Sequence, residues 1–121
     1  MTSKYAFVEE PMPKGDYLGE FELYVMLALA QLGADAYGIS IRQEIERRTG
    51  RDVAIGAVYA TLDRLEQKAL VRFTVARPEP GQSGRPRKCF SATAAGERAL
   101  SHSTDMLARM MRGWRPQANS R

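Results

Sequence analysis

The most informative segment of this 121-residue chain is GAVYATLDRLEQKALV, residues 56–71. Apolar residues recur in it at intervals of four, three and four positions, at Val58, Leu62, Leu65 and Ala69. At about 100° per residue, this spacing keeps them on one narrow helix face. The opposite face carries small and polar residues, namely Gly56, Ala60, Asp63, Arg64 and Gln67, with Tyr59 on the flank. The segment therefore predicts an amphipathic helix with an open outer surface.

Two further helices are expected upstream of this segment. Residues 18–32 are almost continuously apolar over a length that favours a buried helix, with Gly33 as its stop. A second helix is expected to begin near Tyr37, with Asp35 as its cap, and to end at Gly50. The segment 56–71 then forms the third helix of a compact three-helix core.

A short hairpin is expected after the third helix. Residues 70–76 are β-branched and aromatic, residues 78–84 are rich in turn formers, and residues 88–92 can return as an antiparallel strand. Three short helices followed by a two-stranded ribbon form a winged helix-turn-helix. We therefore predict a mainly α fold with a small β-hairpin. In this fold the third helix enters the DNA major groove and the hairpin reaches the adjacent backbone or minor groove.

A last helix is expected from Thr93 to about Trp114, and it carries a heptad-like series at Leu100, Leu107 and Trp114. Because the three-helix core is already closed, a second copy of the chain is the simplest cover for this stripe. The alternative is that the helix folds back on its own core. The predicted dimer interface comprises Leu100, Leu107, Met110, Met111 and Trp114.

These expectations divide the chain into four parts. Residues 1–17 are expected to form a flexible arm and residues 18–92 a winged-helix DNA-binding domain. Residues 93–115 would form the dimerisation helix, and residues 116–121 a flexible tail.

Positive charge is concentrated near the expected hairpin tip. The chain carries a net charge of +4, and residues 77–88 hold four of its cations against one carboxylate, Glu79. A cationic loop of this kind suits a polyanion, of which nucleic acid is the usual one. Double-stranded DNA is therefore the expected partner, and the predicted contacts are Gly56, Tyr59, Ala60, Arg64, Arg85, Arg87 and Lys88.

Each predicted contact has a chemical reason. Small residues such as Gly56 and Ala60 let the helix backbone approach the duplex closely, whereas guanidinium and ammonium groups bind phosphates or guanine edges. The Tyr59 hydroxyl suits either a phosphate or a base. Two structural alternatives stay open, in which Tyr59 packs against the first helix and Arg64 pairs with Asp63 or another neighbour.

The sequence lacks the usual signals of an enzyme or a cofactor site. His102 is the only histidine and Cys89 the only cysteine, a pair too sparse for a zinc site or a Cys–His nucleophile. No cofactor or metal is therefore expected. One cysteine also indicates a reducing compartment, and the longest apolar run is too short to span a bilayer. We expect a cytoplasmic protein that does not associate with membranes.

Two segments carry a family resemblance. The first, residues 56–71, has the pattern Tyr-x-x-Leu-x-x-Leu-Glu; the second, GRPRKCFSATAAG at residues 84–96, has Gly-Arg-Pro-x-Lys followed by Thr-x-x-Gly. In this order they resemble the PadR family of bacterial transcriptional regulators, over residues 18–112. The resemblance implies a dimeric winged-helix repressor that a small molecule often relieves. By position, Tyr59 matches the family's recognition-helix tyrosine, and Arg85 and Lys88 match its wing cations.

The chain departs from the family pattern in two places. Ala69 stands where the family usually has glycine, and if that position is left-handed the alanine costs about 1 kcal/mol. A single helix follows Gly96, as in the short subgroup, so an effector pocket would have to lie between subunits. Met110 and Trp114 would line it for a small planar ligand, since thioether and aromatic side chains suit flat molecules. The alternative is that both residues are interface core.

A second function stays open beside DNA binding. The outer face of the third helix offers few base-reading groups, because Gly56 and Ala60 read little. A winged-helix module that binds an acidic protein, without specific DNA binding, would also fit this surface.

Overall fold

The computed structural model describes residues 17–117. The expected arm lies outside the described residues apart from Tyr17, as do residues 118–121 of the expected tail. The elements in chain order are α1 (Glu20–Leu32), a 3-10 turn (Gly33–Asp35), α2 (Gly38–Thr49), α3 (Ile55–Gln67), β1 (Val71–Ala76), β2 (Arg87–Ala92) and α4 (Ala94–Met111). This is the predicted mainly helical fold with a two-stranded hairpin. None of the helices in residues 17–117 is long and apolar enough to cross a membrane.

Glycines end the first two helices, as predicted. Gly33 follows α1 with φ 61°, and Gly50 follows α2 in the left-handed conformation with φ 74°. The prediction that Asp35 caps α2 is wrong, because Asp35 belongs to the 3-10 turn. Tyr37 is the residue that precedes α2, and its N–H donates to Ser40 Oγ at 3.0 Å. Because of this turn, α2 begins at Gly38, one residue after Tyr37.

The core lies between the three N-terminal helices. Fully buried side chains from all three meet there, including Val25, Met26, Ile41, Val58, Leu62 and Leu65. The predicted α3 stripe includes Ala69, but α3 ends at Gln67 and Ala69 is exposed with φ 62°. Thr61 is buried in the stripe instead. A left-handed residue turns the chain sharply from α3 into the hairpin.

The hairpin docks on the helices through β2. Its strands pair antiparallel, with Phe73 opposite Phe90 and Ala76 opposite Arg87. Phe90 is 5% exposed and joins the helical core, and its N–H donates to the Ala36 carbonyl oxygen at 2.7 Å. This bond fixes β2 beside the start of α2, so that residues 77–86 form the loop of the wing. The strands begin within one residue of their predicted starts.

The last helix begins on the core and then leaves it. Gly96 approaches the backbone of Leu70 so closely that an added Cβ would lie 1.9 Å from the Leu70 carbonyl oxygen. Ala99 and Ser103 are also buried on this side. The helix ends at Met111 rather than near Trp114 as predicted, and Gly113 has a φ of 88° just beyond the end.

Candidate nucleic-acid interface

The outer face of α3 is open near its start. Nothing lies within 4 Å of the position that a Cβ on Gly56 would occupy, and Ala60 is exposed one turn later. Within the described chain, Gly56 and Ala60 therefore leave this part of the α3 surface low and exposed. A surface of this shape allows a helix to sit deep in the major groove, whose width matches one helix.

Tyr59 lies across the start of α2. A Cβ added to Gly38 would come within 2.5 Å of three atoms of the Tyr59 ring, so the ring packs directly on the Gly38 backbone. The Tyr59 side chain is still 46% exposed. The absence of a side chain at Gly38 thus makes room for an aromatic residue between α2 and α3.

Arg64 lies on a different side of α3. One of its terminal nitrogens donates to Thr61 Oγ1 at 3.1 Å, and its Nε is 3.8 Å from Glu22 Oε2 on α1. No ion pair with Asp63 is present among residues 17–117. The guanidinium is therefore held toward α1, and contact of Arg64 with DNA stays a prediction that requires it to leave Glu22.

Glu22 is a residue that the sequence reasoning missed. It is only 8% exposed, accepts the Gly19 N–H at 3.0 Å, and pairs with Lys68 Nζ at 3.0 Å. Burial raises the pKa of the Glu22 carboxyl, but the bonds from Gly19 and Lys68 and the charge of Arg64 outweigh it, so the pKa is lowered. A carboxylate within the apolar run of α1 was the signal that could have identified it.

Three of the exposed cations of the wing are predicted DNA contacts. Arg85 lies in the loop, whereas Arg87 and Lys88 begin β2. The Arg87 guanidinium lies 4.4 Å from the centroid of the Tyr37 ring, and Lys88 Nζ lies 4.1 Å from that of Phe73. The two cationic side chains of β2 thus each rest on an aromatic ring, which restricts the position of the charge before any ligand binds.

A cavity joins the wing to the helices. It has a volume of about 650 Å³ and is lined by Tyr37, Ile39, Tyr59, Arg85, Pro86, Arg87 and Lys88. Four predicted contacts, Tyr59 and the three wing cations, therefore share one concave surface, while Gly56, Ala60 and Arg64 do not line it. The sequence reasoning missed the exposed Ile39 and the aromatic Tyr37, although a Tyr-Gly pair at the start of a helix is visible in the sequence.

Most of the predicted dimer residues lie at the exposed end of α4 or just beyond it. Leu107 is 51%, Met110 81%, Met111 48% and Trp114 63% exposed. Leu100 differs from them because it packs against the core of its own chain. The predicted seam is therefore split, with one residue covered within the subunit and four that remain about half exposed or more in the described chain.

Comparison with known proteins agrees with this arrangement. The model of the transcriptional regulator PadR-like family matches residues 26–102, which is more than half of the chain. A PadR-like transcription factor from Bacteroides fragilis is 27% identical in sequence, with coverage of 76% of this chain and 84% of that one and a TM-score of 0.62. No protein of curated function matches the sequence.

Two further solved structures have the same fold. A PadR family transcriptional regulator from Eggerthella lenta is 26% identical, with 77% and 82% coverage and a TM-score of 0.59. A PadR family transcription regulator from Clostridium difficile is 23% identical, with 78% and 96% coverage and a TM-score of 0.62. The family match extends from α1 into α4 and includes α3, the wing and Tyr37. This chain, with its winged helix and its single C-terminal helix, belongs to the PadR-like family of transcriptional regulators.

Proposed function

We propose that this protein is a homodimeric, sequence-specific repressor that binds a pseudo-palindromic operator in the cytoplasm. Residues 18–92 bind the duplex and residues 93–115 join two subunits. The proposed role requires no cofactor or metal, because this kind of binding depends on shape, charge and hydrogen bonds.

The observation that carries the proposal is which cations form ion pairs with carboxylates and which do not. In residues 17–117, Arg85, Arg87 and Lys88 make no ion pair with a carboxylate. By contrast, five cations of the helical region pair with glutamates: Arg47 and Arg48 with Glu44, Arg51 with Glu20, and Arg64 and Lys68 with Glu22. Cations without carboxylate partners, gathered on one concave surface, are what a phosphate backbone requires.

The groove geometry follows from the same surface. With α3 in the major groove, Gly56 and Ala60 face the bases and the backbone can approach closely. The wing then reaches along the duplex, where Arg85 enters the minor groove, whose narrow form concentrates negative potential. Tyr59 lies between the two elements and contacts the intervening phosphates.

Dimerisation follows from the uncovered end of α4. Leu107, Met110, Met111 and Trp114 form an apolar surface on the described chain, and a two-fold copy covers it with the same residues. Two α3 helices then read half-sites about one helical turn, roughly 34–36 Å, apart.

The same interface supports a proposal for relief of repression. Met110 and Trp114 are the most exposed apolar side chains of the subunit end, at 81% and 63%. A small planar effector held between the two copies of these residues would alter the spacing of the α3 helices. Quenching of the single tryptophan by planar compounds tests this; a flat response across a broad library would contradict it.

Fluorescence anisotropy with the DNA upstream of the protein's own gene tests the main proposal. We expect preference for that DNA over a scrambled duplex, and an affinity that falls steeply with salt concentration. We expect Arg85→Ala to weaken binding several-fold and to leave the dimer intact. The matched control Arg47→Ala removes the same charge from the outer face of α2 and changes affinity little.

Two results would contradict the proposal. One is equal affinity for the natural and the scrambled duplex, and the other is an affinity independent of salt. If the protein has no affinity for DNA at low salt and instead co-purifies with a protein after nuclease treatment, the winged-helix protein-binding module is the better account.

A further inference from the structure

Tyr37 lies where the helical unit meets the wing. Its N–H donates to Ser40 Oγ at 3.0 Å, and its carbonyl oxygen accepts the first α2 bond, from Ile41 N at 2.8 Å. The preceding carbonyl, of Ala36, accepts the bond from Phe90 N that attaches β2. The backbone of Tyr37 is therefore fixed from both sides, by α2 and by the wing.

The Tyr37 ring supports the guanidinium of Arg87, whose Cζ lies 4.4 Å from the ring centroid. Stacking uses a face of the guanidinium, whereas its N–H donors point outward in the plane. Those donors make no hydrogen bond or ion pair with other residues of the described chain. Both side chains also line a second cavity of about 420 Å³ beside the wing loop.

We infer that Tyr37 is a positioning residue for DNA binding that acts through Arg87, an inference that rests on the proposed function. Arg87 belongs to the last paired position of the hairpin, opposite Ala76. A free arginine there would sample many rotamers and lose that freedom on contact with a phosphate. The Tyr37 ring restricts the guanidinium beforehand and leaves its planar fork free to bind phosphate in a bidentate manner.

A double-mutant cycle measured by DNA-binding anisotropy tests this role. Tyr37→Leu should lower affinity about two- to five-fold, the range of an exposed cation–π contact. Tyr37→Phe should retain the affinity, because the ring remains. In an Arg87→Ala background, Tyr37→Leu should cause no further loss, which a general effect on folding would not produce.

Tyr24→Leu provides the matched control. Arg51 lies 5.7 Å from the Tyr24 ring centroid and also pairs with Glu20 at 3.3 Å, so this contact involves no wing residue. Removal of this ring deletes the same kind of contact and should leave DNA affinity unchanged. If Tyr37→Leu does not fold, Arg87→Lys replaces it: the charge stays, the planar stack is lost, and affinity should fall by a similar factor.

The outcomes separate the inference from the function on which it rests. Equal losses for Tyr37→Leu with and without Arg87, or full affinity for Arg87→Lys, would overturn the inference and leave DNA binding in place. Absence of DNA binding by the unmodified protein would remove the proposed function itself.

Discussion

The hydroxyl of Thr93 donates a hydrogen bond of 2.7 Å to the carbonyl oxygen of Ala69, and so ties the start of α4 to the turn that ends α3. The same hydroxyl oxygen accepts the Gly96 N–H at 3.0 Å and caps α4. The Thr93 N–H donates to the Leu70 carbonyl oxygen, also at 3.0 Å. One residue thus links the proposed recognition helix to the proposed dimerisation helix, so the position of α3 depends directly on that of α4.

Thr93→Ala should lower the free energy of unfolding by about 1–2 kcal/mol, the usual cost of a lost helix cap. Thr93→Ser keeps the hydroxyl and should recover most of the loss. Urea denaturation of the three proteins measures the effect. An alanine variant as stable as the serine variant would show that the cap and the link to Ala69 contribute nothing.

Ala69→Gly should raise the free energy of unfolding by about 0.5–1 kcal/mol. Ala69 has φ 62°, where the alanine Cβ is strained and glycine is not. Ala60→Gly is the matched control: it makes the same chemical change within regular helix and should destabilise by a similar amount. Equal destabilisation by both variants would contradict a strained Ala69.

Gly96→Ala should destabilise the protein by more than about 2 kcal/mol, because the new methyl meets the Leu70 carbonyl oxygen on a rigid backbone. Gly56→Ala is the corresponding change where nothing lies within 4 Å, and should stabilise α3 by about 0.5–1 kcal/mol. Thermal unfolding followed by circular dichroism compares them. Similar melting temperatures for the two variants would contradict the close approach of α4 to Leu70.

The apolar periodicity of the helices predicts which residues lie in the core. It does not predict toward which neighbouring element each polar side chain is directed. Val58, Leu62 and Leu65 could be assigned to the core because burial of one helix face is a local property of the sequence. The partner of Arg64 depends on how α1 packs beside α3. No pattern in the sequence indicates that packing.

The helix ends illustrate the same distinction between local and non-local information. Gly33 and Gly50 can be recognised in the sequence as helix ends, since glycine adopts positive φ without strain. Ala69 can be recognised as a helix end only by its place in a family pattern, because alanine as a residue type does not indicate a left-handed turn. The Tyr37–Arg87 contact was likewise invisible, since it joins residues that only the docked hairpin brings together.

Leu107→Glu should convert the proposed dimer into a monomer at micromolar concentration. Leu107 is 51% exposed on the apolar end of α4, and in a two-fold dimer the substitution would bury a carboxylate from each copy in an apolar interface. Val75→Glu changes a residue with 48% exposure on the wing and should leave the dimer unaffected. Sedimentation equilibrium measures both. A dimeric Leu107→Glu variant would place the interface elsewhere.

Acidification should weaken the link between α1 and α3 through Glu22. Its carboxyl has a lowered pKa in the folded protein, so its ionised form stabilises the fold at a pH above the ordinary value of about 4.5. That contribution is lost as the pH falls through the lower, folded-state pKa. Glu22→Gln should therefore cost about 1–2 kcal/mol at pH 7, since it removes the charge that Lys68 binds, and less at pH 3. Urea denaturation at both pH values measures the difference between the variant and the unmodified protein. A cost that stays constant with pH would mean that the carboxylate charge does not stabilise the contact with Lys68.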